Sequence, residues 1–166
     1  MKLIGYTANI LGWPILQLTI GFAVTHFPDR LFGRDCWLTA SRAWEDNGEF
    51  YAGRLAIRRW KHLLPDGSSW FGGFPKRKLI SHHTGYLARF VTETRRSEIA
   101  HWCMLCCFPL FFPWNPTWAC LVMGTYGLAA NLPCIIVQRY NRLVLLRILT
   151  MRFEKKKIAR HCGVHR

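Results

Sequence analysis

Acidic residues are scarce in this chain: nine Asp and Glu stand against 23 Lys and Arg in 166 residues, a formal charge of +14. Charge of both signs together makes up only 19% of the sequence, below the roughly one quarter usual in soluble domains. Also missing are a Gly-rich phosphate loop, a Gly-x-Ser-x-Gly elbow and a His-Glu-x-x-His box, so kinase, serine-hydrolase and metalloprotease readings have no support. Cysteine occurs seven times but without a disulfide framework. An odd number scattered in apolar surroundings reads as reduced small hydrophobes. Cys103, Cys106 and Cys107 offer half a zinc site, and no second pair of Cys or His follows at finger-like spacing, so neither a metal nor another cofactor is expected.

The chain has instead long apolar runs. Leu3 to Thr25 is apolar apart from Asn9 and Gln17, and at about 1.5 Å per residue it can cross a hydrocarbon core of about 30 Å. Pro14 would kink it, which membrane helices tolerate. A cleaved signal peptide is the rival reading, but the run is longer than a signal core and only Lys2 precedes it. Ile99 to Phe112 and Thr117 to Val137 form two further runs, separated by the turn Pro113-Trp114-Asn115-Pro116. The expected fold is therefore all-α: a single polytopic membrane domain over residues 1–166, with about three transmembrane helices near 3–25, 99–112 and 117–137. The second run is short for a full crossing and could be re-entrant.

Positive charge sets the sidedness. Thirteen Lys and Arg lie between Thr25 and Ile99 and nine after Val137, against Lys2 alone ahead of the first run. By the bias of positive charge toward the cytoplasm, a multi-pass protein of the cell membrane is expected, with its N-terminus outside and both the long loop and the C-terminus cytosolic. Phe50, Leu55, Ile57, Trp60 and Leu63 fall on a loose helical stripe beside Arg54, Arg58 and Lys61, the pattern of an interfacial amphipathic helix ended by Leu64-Pro65-Asp66-Gly67. A helix resumes near Tyr86 and feeds the second run. The stretch from Leu143 to Met151 reads as interfacial too, and the tail closes on Lys155-Lys156-Lys157. Charge in this company indicates membrane lipid as a partner. No nucleic-acid partner is expected, because long apolar runs have no use in a phosphate-binding module.

Three groups of residues could carry chemistry. Glu98 and His101 are three apart, share a helix face and stand where the chain enters the membrane, where ionisable groups are costly and mark function by default. His101 would carry a proton, with Glu98 orienting it; the plainer alternative pairs Glu98 with Arg95 or Arg96 and leaves His101 as an interfacial anchor. His62 and Asp66 approach a His-x4-Asp acyltransferase box but miss its spacing by one residue, so Asp66 reads as a turn with Gly67 and His62 remains a weaker catalytic candidate. Arg139 and Arg142, with Asn141 between them and Arg95 on the preceding helix, make a fork suited to a carboxylate or phosphate. Basic residues at a helix C-terminus also serve its dipole.

Four stretches resemble the glycosyl-4,4'-diaponeurosporenoate acyltransferase family. They are Pro28-Asp29-Arg30-Leu31-Phe32; Trp60-Lys61-His62 with Leu64-Pro65-Asp66-Gly67; Glu93-Thr94-Arg95-Arg96-Ser97-Glu98-Ile99-Ala100-His101-Trp102; and Asn131, Pro133 and Ile135-Ile136-Val137-Gln138-Arg139-Tyr140-Asn141-Arg142. The resemblance implies a small bacterial membrane enzyme that esterifies a sugar hydroxyl of a glycosylated carotenoid or lipid with a fatty acyl group; the expected partner is an acyl donor such as acyl-CoA or acyl carrier protein, with a phospholipid left open by the sequence. The Gly-rich segment Ser68 to Gly85, the Cys-rich second run and the long basic tail depart from the family pattern. A non-catalytic adaptor binding anionic lipid or a partner enzyme, and another small membrane transferase, are the alternatives.

Overall fold

The computed structural model describes residues 2–65, 70–76 and 79–163, so the turn expected at Asp66 and Gly67 and the basic pair Arg77 and Lys78 lie outside the described residues. Every regular element among the described residues is helical. The α-helices are α1 (Lys2–His26), α2 (Glu49–Gly53), α3 (Ile57–Trp60), α4 (Thr84–Cys106) and α5 (Thr117–Gly163). Short 3₁₀ turns cover Asp29–Leu31, Ala43–Gly48, Lys61–Leu63 and Phe108–Trp114. Two helices, over Thr7–His26 and Thr117–Arg160, are long and apolar enough to cross a membrane.

α4 and α5 form an antiparallel hairpin. Leu87, Phe90 and Val91 pack on Leu145 and Leu149 at one end. At the other end Gly127 and Gly124 admit Leu105 and the ring of Phe108. α1 lies against α4, with Val24 and Ile20 on Ala100 and Met104. Beyond Cys106 the chain tightens into the 3₁₀ turn Phe108–Trp114, and Phe111 stacks on Trp13 with centroids 5.1 Å apart. Trp114 Nε1 then donates to Asn9 Oδ1 at 2.9 Å, and Asn9 Nδ2 donates to Asn115 Oδ1 at 2.7 Å. The segment from Arg96 to Trp114 thus climbs alongside α1 from its C-terminal end to its N-terminal end.

Two expectations about elements change. α5 does not break after Val137: it is one helix of 47 residues, about 70 Å long at 1.5 Å per residue. Leu145 and Leu149 are buried against α4 and Leu143 against Tyr51 and Ile57, so these residues need no lipid surface. The stripe from Phe50 to Leu63 is likewise not one helix. It is split into α2, α3 and a 3₁₀ turn, with Tyr51 and Ile57 buried on Val137, Tyr140 and Leu143 of α5. The break follows from backbone geometry: Asp46, Asn47 and Gly48 all have positive φ before α2, and Ala56 has φ 47° before α3. Gly48 sits at φ 97°, where a side chain would be strained, and a Cβ there would come to 3.4 Å from the Tyr140 ring.

Candidate active site

The run Glu93 to Glu98 on α4 is the most polar buried stretch of the described chain, and Arg95, Arg96 and Glu98 within it reach partners on other elements. Arg96 Nη1 donates to the carbonyls of Val24 (2.8 Å), Thr25 (3.2 Å) and Phe27 (2.6 Å). It thereby satisfies the orphan carbonyls at the end of α1. Its guanidinium also pairs with Asp29 and Glu93 and lies 4.5 Å over the Phe32 ring. Arg95 Nε donates to Asp35 Oδ1 at 2.7 Å. Glu98, fully buried, accepts from Arg139 Nη1 at 2.7 Å and from Arg142 Nη1 at 2.5 Å.

Arg139 and Arg142 also gather the segment 38–45. Arg139 donates to Glu45 through Nε (2.8 Å) and Nη2 (3.0 Å) and to the carbonyls of Leu38 and Ala40. Arg142 Nη2 donates to the Thr39 carbonyl at 2.7 Å. Tyr51 Oη donates to Glu45 Oε1 at 2.6 Å. Burial pushes the Glu45 carboxyl up, but the hydrogen bonds from Arg139 and Tyr51 outweigh it and hold the group below the usual carboxylate range. Burial and the neighbouring carboxylate push the Tyr51 hydroxyl well above its ordinary value. Two glutamates and two arginines therefore close a neutral, buried network.

The candidate residues divide into two sets. A cavity of about 1090 Å³ runs between α1, α4 and α5 under the segment 70–76, and His101, His62 and Asn141 line it. Glu98, Arg95, Arg139 and Arg142 do not line it; Glu98, Arg139 and Arg142 point into the network just described, and Arg95 is turned to Asp35 and the Gly33 carbonyl. The expected pairing of Glu98 with His101 is corrected accordingly, because both Glu98 oxygens are taken by arginines of α5. The alternative pairing of Glu98 with Arg95 or Arg96 is replaced for the same reason.

Asn131 is the residue that sequence reasoning left out of the site. It is buried on α5, and its Oδ1 lies 3.0 Å from His101 Nδ1. Its Nδ2 donates to the Gly127 carbonyl at 3.0 Å. That second bond fixes which end of the amide faces the histidine, since only the NH₂ can donate to a carbonyl. The oxygen then accepts from Nδ1–H, so that in the neutral imidazole the lone pair is on Nε2. A histidine with an oriented ring and an unprotonated Nε2 can accept a proton from a hydroxyl. At the far end of the cavity, Lys61 Nζ donates to Asn141 Oδ1 at 3.2 Å, and the exposed His62 follows it in the 3₁₀ turn. Asn131 and Asn141 are about 15 Å apart along α5, so His62 and His101 occupy different ends of one cavity.

Residues 33–151 match the family model described as glycosyl-4,4'-diaponeurosporenoate acyltransferase. A glycosyl-4,4'-diaponeurosporenoate acyltransferase of Staphylococcus aureus (strain Newman) is 33% identical over 151 residues, covering 90% of this chain and 89% of that protein. The protein of the same name from strain USA300 is 34% identical over 148 residues, covering 86% and 88%. No solved structure matches the chain. The match takes in α2 to α4, the cavity walls apart from α1, the buried network and α5 as far as Met151, and the chain belongs to the glycosyl-4,4'-diaponeurosporenoate acyltransferase family.

Proposed function

We propose that this acyltransferase esterifies a sugar hydroxyl of a glycosylated carotenoid acid, of the glycosyl-diaponeurosporenoate kind, with a fatty acyl group inside the cavity. As a member of an enzyme family the chain is not read as an adaptor. The observation that carries the reading is the His101–Asn131 pair: a histidine, oriented by a buried amide, in the wall of a cavity lined largely by apolar side chains. Both substrates are amphiphiles, and such a cavity takes their apolar bodies while presenting one base to the sugar.

In this reaction the sugar hydroxyl gives its proton to His101 Nε2 as its oxygen bonds to the acyl carbon. With a thioester donor, from acyl-CoA or acyl carrier protein, the tetrahedral intermediate then breaks its carbon–sulfur bond, and the imidazolium returns the proton to the leaving thiolate. Asn131 is a positioning residue. Glu98, Arg95, Arg139 and Arg142 hold the frame on which His101 and Asn131 face each other, while His62 and Asn141 belong to the entrance.

The enzyme crosses the cell membrane three times, with its N-terminus outside and the α2–α3 region and C-terminus in the cytosol. Support for the second crossing comes from its geometry. Eight helical residues from Ile99 to Cys106 and seven in the following 3₁₀ turn rise about 26 Å together, because a 3₁₀ turn gains about 2 Å per residue. That approaches the roughly 30 Å hydrocarbon core. The charge asymmetry supports the orientation.

Mass spectrometry of pigment and lipid extracts from cells with and without the gene tests the function. An added acyl group on a glycosylated carotenoid, seen only with the gene, is expected. Unchanged extracts in a host making the acceptor would overturn it.

A further inference from the structure

α5 presents a polar stripe to a cavity whose other walls mix apolar side chains with Gln17 of α1 and Glu93, Arg96 and Ser97 of α4. Asn131, Cys134, Gln138 and Asn141 recur at intervals of three and four residues, which places them on one helix face, and all four line the cavity. The stripe starts at the His101–Asn131 pair and ends at the entrance, where Lys61 is bonded to Asn141 and followed by the exposed His62. Midway along it, Gln138 Oε1 is buried with no hydrogen-bond partner among the described residues. A buried, unpaired amide oxygen is costly unless something else donates to it. The ends of the stripe are about 15 Å apart.

We infer that this stripe is the track for the phosphopantetheine arm of a soluble acyl thioester. The inference rests on the reading of the cavity as an acyl-transfer site. Such an arm is long and narrow, carries two amides with N–H donors along its length, and ends in a phosphate. Laid along the stripe, it brings the thioester to His101, draws the buried Gln138 amide round to accept one of its N–H groups, and leaves the phosphate beside Lys61 and His62. Apolar walls on either side suit its methylene and gem-dimethyl groups. A phospholipid donor matches neither feature: its ester is attached directly to glycerol, with no amide-bearing arm to span the stripe. Coenzyme A and acyl carrier protein share the arm, and the track accepts either.

The test compares donors in liposomes containing the full-length enzyme and glycosyl-diaponeurosporenoate. The donors are acyl-CoA, acyl carrier protein, the same acyl group on N-acetylcysteamine, which keeps the thioester and one amide but lacks the rest of the arm, and phosphatidylglycerol vesicles. The wild type is expected to favour a full-arm donor over the N-acetylcysteamine stub in kcat/KM. Gln138→Leu should narrow that preference by about 2- to 12-fold, the worth of one hydrogen bond. Lys61→Ala should narrow the preference for the phosphate-bearing donors and flatten its dependence on salt. If Gln138→Leu fails to fold, Gln138→Met replaces it, and the same narrowing is expected because a thioether is only a weak acceptor for the arm's N–H. Equal losses with full-arm and stub donors, or ester formed from phosphatidylglycerol without any thioester, would overturn the inference. Absence of ester from the wild type with every donor would instead overturn the acyl-transfer reading itself.

Discussion

At the residue scale, the account depends on hydrogen bonds that fix the direction of a side chain. Asn131 is held by the Gly127 carbonyl, and this decides which nitrogen of His101 is basic. Asn131→Leu should therefore lower kcat with little change in KM, by up to about 10²-fold, the lower bound of what a positioned base contributes. Steady-state kinetics on membranes normalised for protein would read this, and a KM effect alone would contradict it. The histidine was legible in the sequence because an ionisable group in an apolar run stands out. Its partner was not, since an asparagine thirty residues away in another apolar run shows no pairing until the α4–α5 hairpin sets the register. The arginine pair at 139 and 142 shows the opposite case. A basic fork at a helix end looks like a substrate clamp in one dimension, while the two glutamates that occupy it come from distant segments.

At the scale of elements, the buried network joins α4, α5 and the segment 38–45. Glu98→Gln leaves two guanidiniums facing a neutral amide, and breaking such a buried pair costs about 3–5 kcal/mol. A large fall in the melting temperature of the detergent-solubilised protein is expected, before any effect on chemistry is considered. Glu45 adds a pH dependence of definite sign. Its folded pKa lies below the unfolded value of about 4.3. Its contribution is therefore complete above that value and is lost as the pH falls through the depressed folded value. Peptide-resolved hydrogen exchange of the 36–53 segment should show protection constant from neutral pH down to about pH 5 and lost in stronger acid. Glu45→Gln should remove that acid step and lower protection throughout. Within the hairpin, a Cβ at Gly127 would lie 2.9 Å from the Trp13 ring. Gly127→Ala should thus destabilise by about 1–3 kcal/mol, as overpacked sites do. The apolar runs and the turn between the last two were readable from sequence. The continuity of α5 was not, because the residues after Val137 bury their apolar face on α4, and a burial partner is invisible to a single-chain periodicity.

For the whole molecule, three rods pack side by side and their shared cavity holds the hydrogen-bonded His101–Asn131 pair. The buried charges beneath it lock the rods together at the level where the positive loop begins. Truncation after Thr150 removes only the end of α5 past Leu149, so the shortened protein should stay in the membrane fraction through a carbonate wash. The central claim is that a lipid-linked hydroxyl is acylated at His101. The measurement that tests it most directly is ester formation by the purified enzyme in liposomes, from glycosyl-diaponeurosporenoate and an acyl thioester, with the wild type and His101→Gln side by side. Glutamine keeps the hydrogen bond to Asn131 and much of the size but cannot carry the proton, so turnover should fall by about 10²- to 10⁴-fold with membrane insertion unchanged. Near-normal ester formation by His101→Gln would contradict the account and move the base elsewhere in the cavity.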